Sequence, residues 1–390
     1  MKRNTIVALS LIFSVVITYA QPKNSTSPYT FTDVKVNPST SVKNQASSGT
    51  CWCFSGIGQI EAELLKAGKG EFDLSEMFVV RYTYFEKALK YARMHGLNGL
   101  SQGGQEHDVF NMIEKYGIVP ESDYPGLCYG TELHSHGELA SVIKAYMDAI
   151  ISRKELSTAW QNGLNGILDA YLGAVPQKIN YNGKEYTPKE FAEWLGIKSS
   201  DFVSVTSYTH HPFYSPFAIE VEDNWAWGVS ENIPLDQFMK LLDQTLEDGH
   251  TVLWGSDVSE KGFQYNLGFA VFPETQLENM SESEKARWTS LTKDEIKKSI
   301  YEFKEVVPEK TVTQEERQKA FDNYQTTDDH GMLIVGYATD QNGQKFYKVK
   351  NSWGDRGSYK GYFYASVPFV MAKTMCIMVP TKEYKKFIKK

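Results

Sequence analysis

The sequence predicts an α+β fold in which a helical lobe faces a β lobe. Helical patterns lead and strand patterns finish: amphipathic periodicity starts at Cys51, whereas the last hundred residues carry apolar and aromatic stretches typical of strands. The 390 residues are 41% hydrophobic, which is enough to bury a sizeable core. We expect a functional site where the two lobes meet.

The first predicted helix begins at Cys51 and ends before Gly68, where a glycine can terminate it. Its apolar positions recur at helical spacing: Cys53, Ile57, Ile60 and Leu64. A second helix is predicted from near Ser75, followed by the glycine-rich loop GLNGLSQGGQ. A third, DVFNMIEKYG, ends at Gly117.

Residues 132–196 read as a mainly helical insertion, with Thr187 as N-cap of its last helix and a hairpin turn at Asn182-Gly183. Residues 251–272 are strand-like, and residues 274–323 form a further helical segment with a capping box at Thr313 and Glu316. The closing strands are joined by a tight turn at Asn342-Gly343.

Residues 1–20 resemble a secretory signal peptide, so the predicted domain spans residues 21–390. Lys2 and Arg3 precede an apolar run, and Thr18-Tyr19-Ala20 provides a small-x-small cleavage site. The apolar run is short for a membrane anchor, which is the alternative. We therefore expect export to the periplasm or the medium, with membrane contact only through the transient signal.

Composition and motifs argue against several classes of partner. The net charge of −7, without a basic stripe, argues against nucleic-acid binding. The glycine-rich loop lacks the lysine of a phosphate-binding loop and follows no strand. His210-His211 occurs without an H-E-x-x-H motif or a clustered carboxylate pattern. We therefore predict neither a cofactor nor a metal.

The stretch VKNQASSGTCWCFS places two cysteines at the start of the first helix. Cys51 lies at the helix N-terminus, where the helix dipole favours a thiolate, whereas Cys53 turns toward the apolar face. A nucleophilic thiol needs a base, and His330 heads an apolar strand. From its position alone, a hydrogen-bonded structural role for this histidine is the favoured alternative. Asn351, at the end of the next strand, is a candidate to orient the ring.

These segments resemble the papain-like cysteine peptidases at four separate places. VKNQASSGTCWCFS supplies Gln45 and the nucleophile Cys51, and the paired glycines Gly103-Gly104 match the next segment. DHGMLIVGY supplies the base His330, and YKVKNSWG supplies Asn351 and Trp353. The resemblance implies an oxyanion hole from the Gln45 amide and the Cys51 N–H, substrate binding by Gly104, and a Trp353 ring that shields the Asn–His bond.

Several further stretches resemble the bleomycin hydrolase branch of that superfamily, among them THHPFYSPFAIEV, EDNWAWG and FDNYQTTDDHGM. This resemblance covers nearly everything from Phe31 to Val379. It implies peptide substrates, a thioester acyl-enzyme, aminopeptidase action and a homo-hexamer. In that branch a C-terminal carboxylate holds the substrate amine, whereas this sequence ends KEYKKFIKK. Three alternatives stay open: a secreted endopeptidase, a thiol amidase and a non-catalytic peptide-binding protein.

Overall fold

The structure, a computed structural model, describes residues 26–288 and 290–389. The predicted signal at residues 1–20 lies outside the described residues. Within the described ranges, none of the helices combines the length and the apolar character that crossing a membrane requires.

Helices dominate the first half of the molecule and recur between the later strands. The helices of the described residues are α1 Cys51–Lys66, α2 Glu76–Arg93, α3 Glu106–Tyr116, α4 Gly137–Ile151, α5 Ala159–Leu172, α6 Pro188–Leu195, α7 Leu235–Glu247, α8 Glu282–Trp288, α9 Lys293–Ile300, α10 Gln314–Asp322, α11 Val367–Lys373 and α12 Thr381–Ile388.

Most of the strands join one large sheet. The strands are β1 Phe31–Val36, β2 Ile179–Tyr181, β3 Lys184–Tyr186, β4 Phe202–Thr206, β5 Glu231–Asn232, β6 Val252–Ser256, β7 Phe263–Gln264, β8 Phe269–Ala270, β9 His330–Asp340, β10 Lys345–Lys350, β11 Tyr362–Ser366 and β12 Thr374–Pro380. The order in the large sheet is β5-β4-β12-β6-β9-β10-β11-β8-β7, with β1 paired to β9, while β2 and β3 form a separate hairpin.

Strand β9 lies at the centre of the sheet, and its alternate side chains pack into two different cores. Leu333 and Val335 belong to the core that they share with helices α1 to α6. Met332 and Ile334 belong to the core on the opposite face, which α7 and α11 cover. Because successive residues of a strand point to opposite faces, one strand joins both lobes. This arrangement confirms the predicted α+β class.

Helix α1 packs directly on β9, and a glycine makes the close approach possible. A Cβ at Gly331 would lie 2.8 Å from Ser55 Oγ and 3.2 Å from the backbone nitrogen of Trp52. Because no side chain separates the two backbones here, the first residue of β9 lies beside the first turn of α1. The fold thus places His330 next to Cys51.

The local predictions agree with the structure at several caps and turns. Ser75 caps α2, and Thr187 and Thr313 form capping boxes with Glu190 and Glu316 at α6 and α10. The hairpin at Asn182-Gly183 is formed by β2 and β3. Helices α4, α5 and α6 lie within residues 132–196. The extent of this insertion as a unit stays a prediction.

Candidate active site

Cys51 is the first residue of α1, in the wall of a large cavity. The N-cap residue Thr50 makes no side-chain hydrogen bond to the helix, so the first N–H groups of the helix are left uncapped by it. The cavity has a volume of about 760 Å³ and is lined by both Cys51 and His330. Cys53, in contrast, is fully buried, and its thiol donates to the Glu76 carbonyl at 3.3 Å.

The geometry of the sheet brings His330 and Asn351 together. Strand β9 begins at His330, and its antiparallel neighbour β10 ends at Lys350, so both residues lie at one end of the strand pair. Asn351 Oδ1 is 2.7 Å from His330 Nε2 and also accepts the Ser352 N–H at 2.8 Å. Since Oδ1 is an acceptor, Nε2 carries the hydrogen, and Nδ1 keeps a lone pair for the thiol proton.

Trp353 lies next to the ring of His330. Its ring centroid lies 4.7 Å from that of His330. It does not line the large cavity but a second depression of about 360 Å³, together with Phe263, Tyr265 and Arg356. The shielding and substrate-binding roles of Trp353 stay predictions, and the surface that its ring offers to a substrate lies in this second depression.

Burial favours the neutral form of both the thiol and the imidazole. Burial is the main cause that raises the pKa of the Cys51 thiol to about 12. The Gly331 N–H opposes this shift, whereas the charge of Asp328 adds to it. Burial lowers the pKa of His330 to about 4, although the bond to Asn351 opposes this shift. The structure gives no hydrogen bond between the Cys51 and His330 side chains, so proton transfer between them is a proposal.

Gln45 lies in the loop before α1, and its side-chain amide already makes two hydrogen bonds. Its Oε1 accepts from Ser352 Oγ at 2.6 Å, and its Nε2 donates to the Ser48 carbonyl at 2.7 Å. A primary amide has two hydrogens, so one remains for an oxyanion. Gln45 is buried and is not among the residues that line the large cavity. Its predicted oxyanion role stays a prediction.

The paired glycines form a shelf beside Cys51. Gly103 and Gly104 both line the cavity, as predicted for a substrate-binding backbone. The shelf is held from below by the buried Lys87, which donates to the carbonyls of Ser101 and Gly103 at 2.8 and 2.6 Å. A Cβ at Gly104 would lie 2.9 Å from the Trp52 ring, which explains the glycine there.

A segment that we call the strap, residues 219–228, crosses over this shelf. A Cβ at Gly103 would overlap the carboxylate of Asp223, so the strap and the shelf are in direct contact. The strap is fixed at Trp225, whose Nε1 donates to Asp108 on α3 at 2.7 Å. Asn224 closes it internally by donating to the carbonyls of Ile219 and Gly228, both at 3.0 Å. The strap therefore forms the part of the cavity wall that lies next to the glycines.

The cavity wall is strongly acidic. Seven carboxylate side chains line it, and among the described residues that do so there is neither lysine nor arginine. We call this set the acidic wall: Glu106, Glu220, Glu222, Asp223, Asp322, Asp328 and Asp329. Such a wall attracts cationic groups and repels anionic ones.

The structure brings a carboxylate to the histidine pair, which the sequence analysis did not anticipate. Potential ligand atoms of His210, His211 and Glu220 lie within 4.8 Å of one another. His210 Nδ1, however, accepts from the Gln318 amide at 2.9 Å, so its hydrogen is on Nε2 and points to Glu220 at 3.1 Å. A metal would need the Nε2 lone pair, so this tautomer favours a histidine–carboxylate hydrogen bond over a metal site.

Sequence reasoning missed the strap and the acidic wall. The stretch EDNWAWG, which forms residues 222–228 of the strap, and the pair Asp328-Asp329 before His330 both lie in stretches that carry the family resemblance, but the sequence assigns them no role. Asp223 is more than a hundred residues from both Cys51 and His330, so only the fold shows that it belongs to the site. The four cysteines are all unpaired, so Cys128 and Cys376 do not form a bridge.

Comparison with known proteins gives two family matches. The family described as papain family cysteine protease matches residues 29–165 and 273–378, more than half of the chain. The Peptidase C1-like family matches residues 176–281, a range that contains the strap.

Individual relatives agree with these matches. Aminopeptidase C of Streptococcus thermophilus is 24% identical over 383 residues, covering 87% of this chain and 80% of the relative. Aminopeptidase C of Lactococcus lactis subsp. cremoris is 26% identical over 378 residues, with the same coverage of both chains.

A solved structure also shares the fold. The crystal structure of PepW from Lactobacillus rhamnosis has a TM-score of 0.69 at 21% identity and covers 92% of this chain and 84% of that one. The family match, the two-lobe fold and the thiol beside a histidine–asparagine pair lead to one conclusion: this chain belongs to the papain family of cysteine proteases.

Proposed function

We propose that the protein is a cysteine aminopeptidase of the bleomycin hydrolase type, with Cys51 as nucleophile and His330 as base. The observation that carries this proposal is the His330–Asn351 pair at 2.7 Å, in one cavity with a thiol at a helix N-terminus. The relatives named aminopeptidase C, aligned over most of their length, support the same activity.

The reaction follows from the protonation states of the resting site. The Cys51 sulfur attacks the scissile carbonyl while His330 Nδ1 accepts the thiol proton, because this nitrogen is the one with a free lone pair. The Cys51 N–H and the remaining Gln45 hydrogen donate to the oxyanion. Nδ1–H then protonates the leaving amine, leaving a thioester. Water, deprotonated by Nδ1, hydrolyses the thioester and regenerates the thiol.

The strap supports exopeptidase over endopeptidase action. A peptide that continued beyond the shelf on its N-terminal side would meet the strap at the contact between Gly103 and Asp223. An acyl group with only one residue before the scissile bond avoids that contact. The second depression, beside Trp353, leaves room for the rest of the peptide on the opposite side.

The deciding experiment compares N-free and N-acetylated peptides of the same sequences. We expect the purified enzyme to release single N-terminal residues from the free peptides and to cleave the acetylated ones at least about a hundredfold more slowly. Labelling with an epoxide thiol inhibitor, mapped by mass spectrometry, should modify Cys51. Efficient cleavage inside acetylated peptides would replace the aminopeptidase proposal by the endopeptidase one, and an absence of both cleavage and labelling would favour a peptide-binding protein.

We also propose that the protein is exported and that it assembles into a homo-oligomer. The basis for export is the charged and apolar pattern of residues 1–20. The basis for assembly is the resemblance to the bleomycin hydrolase branch. N-terminal sequencing of the protein from its native host tests the first, with Gln21 expected as the first residue. Light scattering of the purified protein tests the second, with a monomer as the contradicting result.

A further inference from the structure

The position of the substrate's amino group can be inferred from the site. In an aminopeptidase substrate a positively charged ammonium lies one carbon from the scissile carbonyl. The carbonyl must reach Cys51, and we place the leaving group toward the depression at Trp353, because this ring lies 4.7 Å from that of His330, which protonates the leaving amine. The ammonium therefore points the other way, toward the glycine shelf and the strap.

Two members of the acidic wall lie at this place with unused acceptor atoms. Asp328 accepts at Oδ2 from Gln105, the residue after Gly104, at 2.5 Å. Asp223 contacts Gly103 and accepts at Oδ1 from Ser101 at 3.1 Å. Among the described residues, no hydrogen-bond donor is assigned to Asp328 Oδ1 or Asp223 Oδ2. Both carboxylates therefore lie beside the shelf, Asp223 at Gly103 and Asp328 at the residue after Gly104.

Most other carboxylates of the wall are already engaged. Glu106 accepts the Cys376 thiol at 3.2 Å, and Asp329 accepts the N–H groups of Val258 and Ser259 at 3.2 and 3.1 Å. Glu220 accepts from His210 and His211, each at 3.1 Å. Asp322 accepts from Gln318 at 2.8 Å. Glu222 is exposed, where solvent weakens its charge.

We propose that Asp223 and Asp328 together bind the α-ammonium of the substrate and so select peptides with a free N-terminus. This inference rests on the proposed aminopeptidase function and names the residues that give it its specificity. The negative charge that binds the ammonium comes from the side chains of these two aspartates. Helix α12 does not contribute, because it packs on α7 and β12, and its residues are not among those that line the cavity.

The same two carboxylates also affect the nucleophile. Burial is the main cause of the raised pKa of Cys51, and the charges of Asp328 and Asp223 raise it further. A bound ammonium neutralises their effect, which makes the thiol easier to deprotonate. A free N-terminus therefore improves both binding and the attack by sulfur, whereas an acetylated substrate leaves the thiol facing uncompensated negative charge.

The test uses Asp223→Asn, Asp328→Asn and the double variant in the full-length protein. Each single change should raise KM for N-free peptides about tenfold, and the double change about a hundredfold. Cleavage of the N-acetylated peptides should stay the same or increase. Alkylation of Cys51 by the neutral reagent iodoacetamide at pH 7 should become faster in the double variant, because two charges that raise the thiol pKa are gone.

Glu222→Gln is the matched control, because it removes one charge from the same wall at an exposed position. Its KM for N-free peptides should change less than about twofold. An equal effect of Glu222→Gln and Asp328→Asn would mean that the general field of the wall attracts the substrate, and the proposal would be wrong. An unchanged preference for N-free peptides in the double variant would also overturn it. Failure of the proposed function differs, since the wild type itself would then either cleave no peptide or cleave N-acetylated peptides as efficiently as N-free ones.

Discussion

The two halves of the cleft recognise a substrate by different physical means. The large cavity, which contains the glycine shelf, is lined by seven carboxylates, three of them on the strap. On the other side, Trp353, Tyr265 and Phe263 form an open aromatic depression with Arg356 at its edge. We expect negative charge to select one end of a peptide, whereas an aromatic surface accepts many side chains. The difference indicates an enzyme that is selective for a free N-terminus and tolerant of the side chains beyond the scissile bond.

The largest expected effect comes from the residue where the halves meet. Cys51→Ala should lower turnover at least about ten-thousandfold, because both halves only position the carbonyl for this sulfur. Cys53→Ala, two residues away on the same helix, should keep turnover within about threefold and lower the unfolding free energy by about 1 kcal/mol, since it removes a buried sulfur. Turnover and denaturant unfolding check both. An inactive Cys53 variant that still folds would contradict the assignment.

The aromatic half can be disrupted at Trp353. Trp353→Ala should lower kcat by about tenfold, because water then reaches the bond between His330 and Asn351, which the ring covers at a centroid distance of 4.7 Å from the histidine. Trp353→Phe, which retains an aromatic cover, should recover most of the rate. The ratio of N-free to N-acetylated cleavage should not change in either variant. A change in that ratio would show that the two halves do not act separately.

The two halves also differ in how far the sequence predicted them. The strings around Cys51, His330, Asn351 and Trp353 identified residues that the fold brings close together, because each string is a short continuous segment, while their catalytic roles stay a prediction. Strand β9 begins where its antiparallel neighbour β10 ends, and this pairing brings His330 and Asn351 together.

The acidic wall could not be predicted in this way. Its carboxylates come from four separate parts of the chain, and the contact of Asp223 with Gly103 depends on how the strap docks on α3 through Trp225. Single aspartates and glutamates are ordinary surface residues by sequence. Only the tertiary arrangement turns them into one surface.

A pH profile sharpens the contrast between the halves. Above pH ~8 the α-amino group of a free peptide loses its proton. Because the acidic wall binds only the charged ammonium, kcat/KM should then fall about tenfold per pH unit. On the acid side, burial and the charges of Glu106, Asp223 and Asp329 raise the pKa of Asp328 well above its ordinary value. KM should therefore rise on acidification before kcat falls, since the pKa of His330 is lowered to about 4.

The measurement is a full set of kcat and KM values from pH 4.5 to 10 for one N-free peptide. The Asp223→Asn/Asp328→Asn double variant is the control, and its KM should depend little on pH over the same range. A wild-type KM that stays constant from pH 5 to 10 would show that the ammonium is not recognised by charge.

The smallest expected effect comes from loosening the strap without touching a charge. Trp225→Phe removes the hydrogen bond to Asp108, which is buried, so Asp108 loses one of its donors at a cost of about 1–3 kcal/mol. Part of this cost is relieved if the strap moves away from the shelf. The preference for N-free over N-acetylated peptides should then fall about threefold, together with a lower Tm.

Trp227→Phe is the control for that change, because it alters the same strap at an exposed ring that stacks on Lys90 at 4.0 Å. It should leave both the preference and the Tm within error, since no buried hydrogen bond is lost. If Trp225→Phe lowers the Tm as expected but leaves the preference unchanged, the carboxylates act without the closure of the strap. The selectivity of the acidic half would then rest on charge alone, and closure would serve only to hold Asp223 in place.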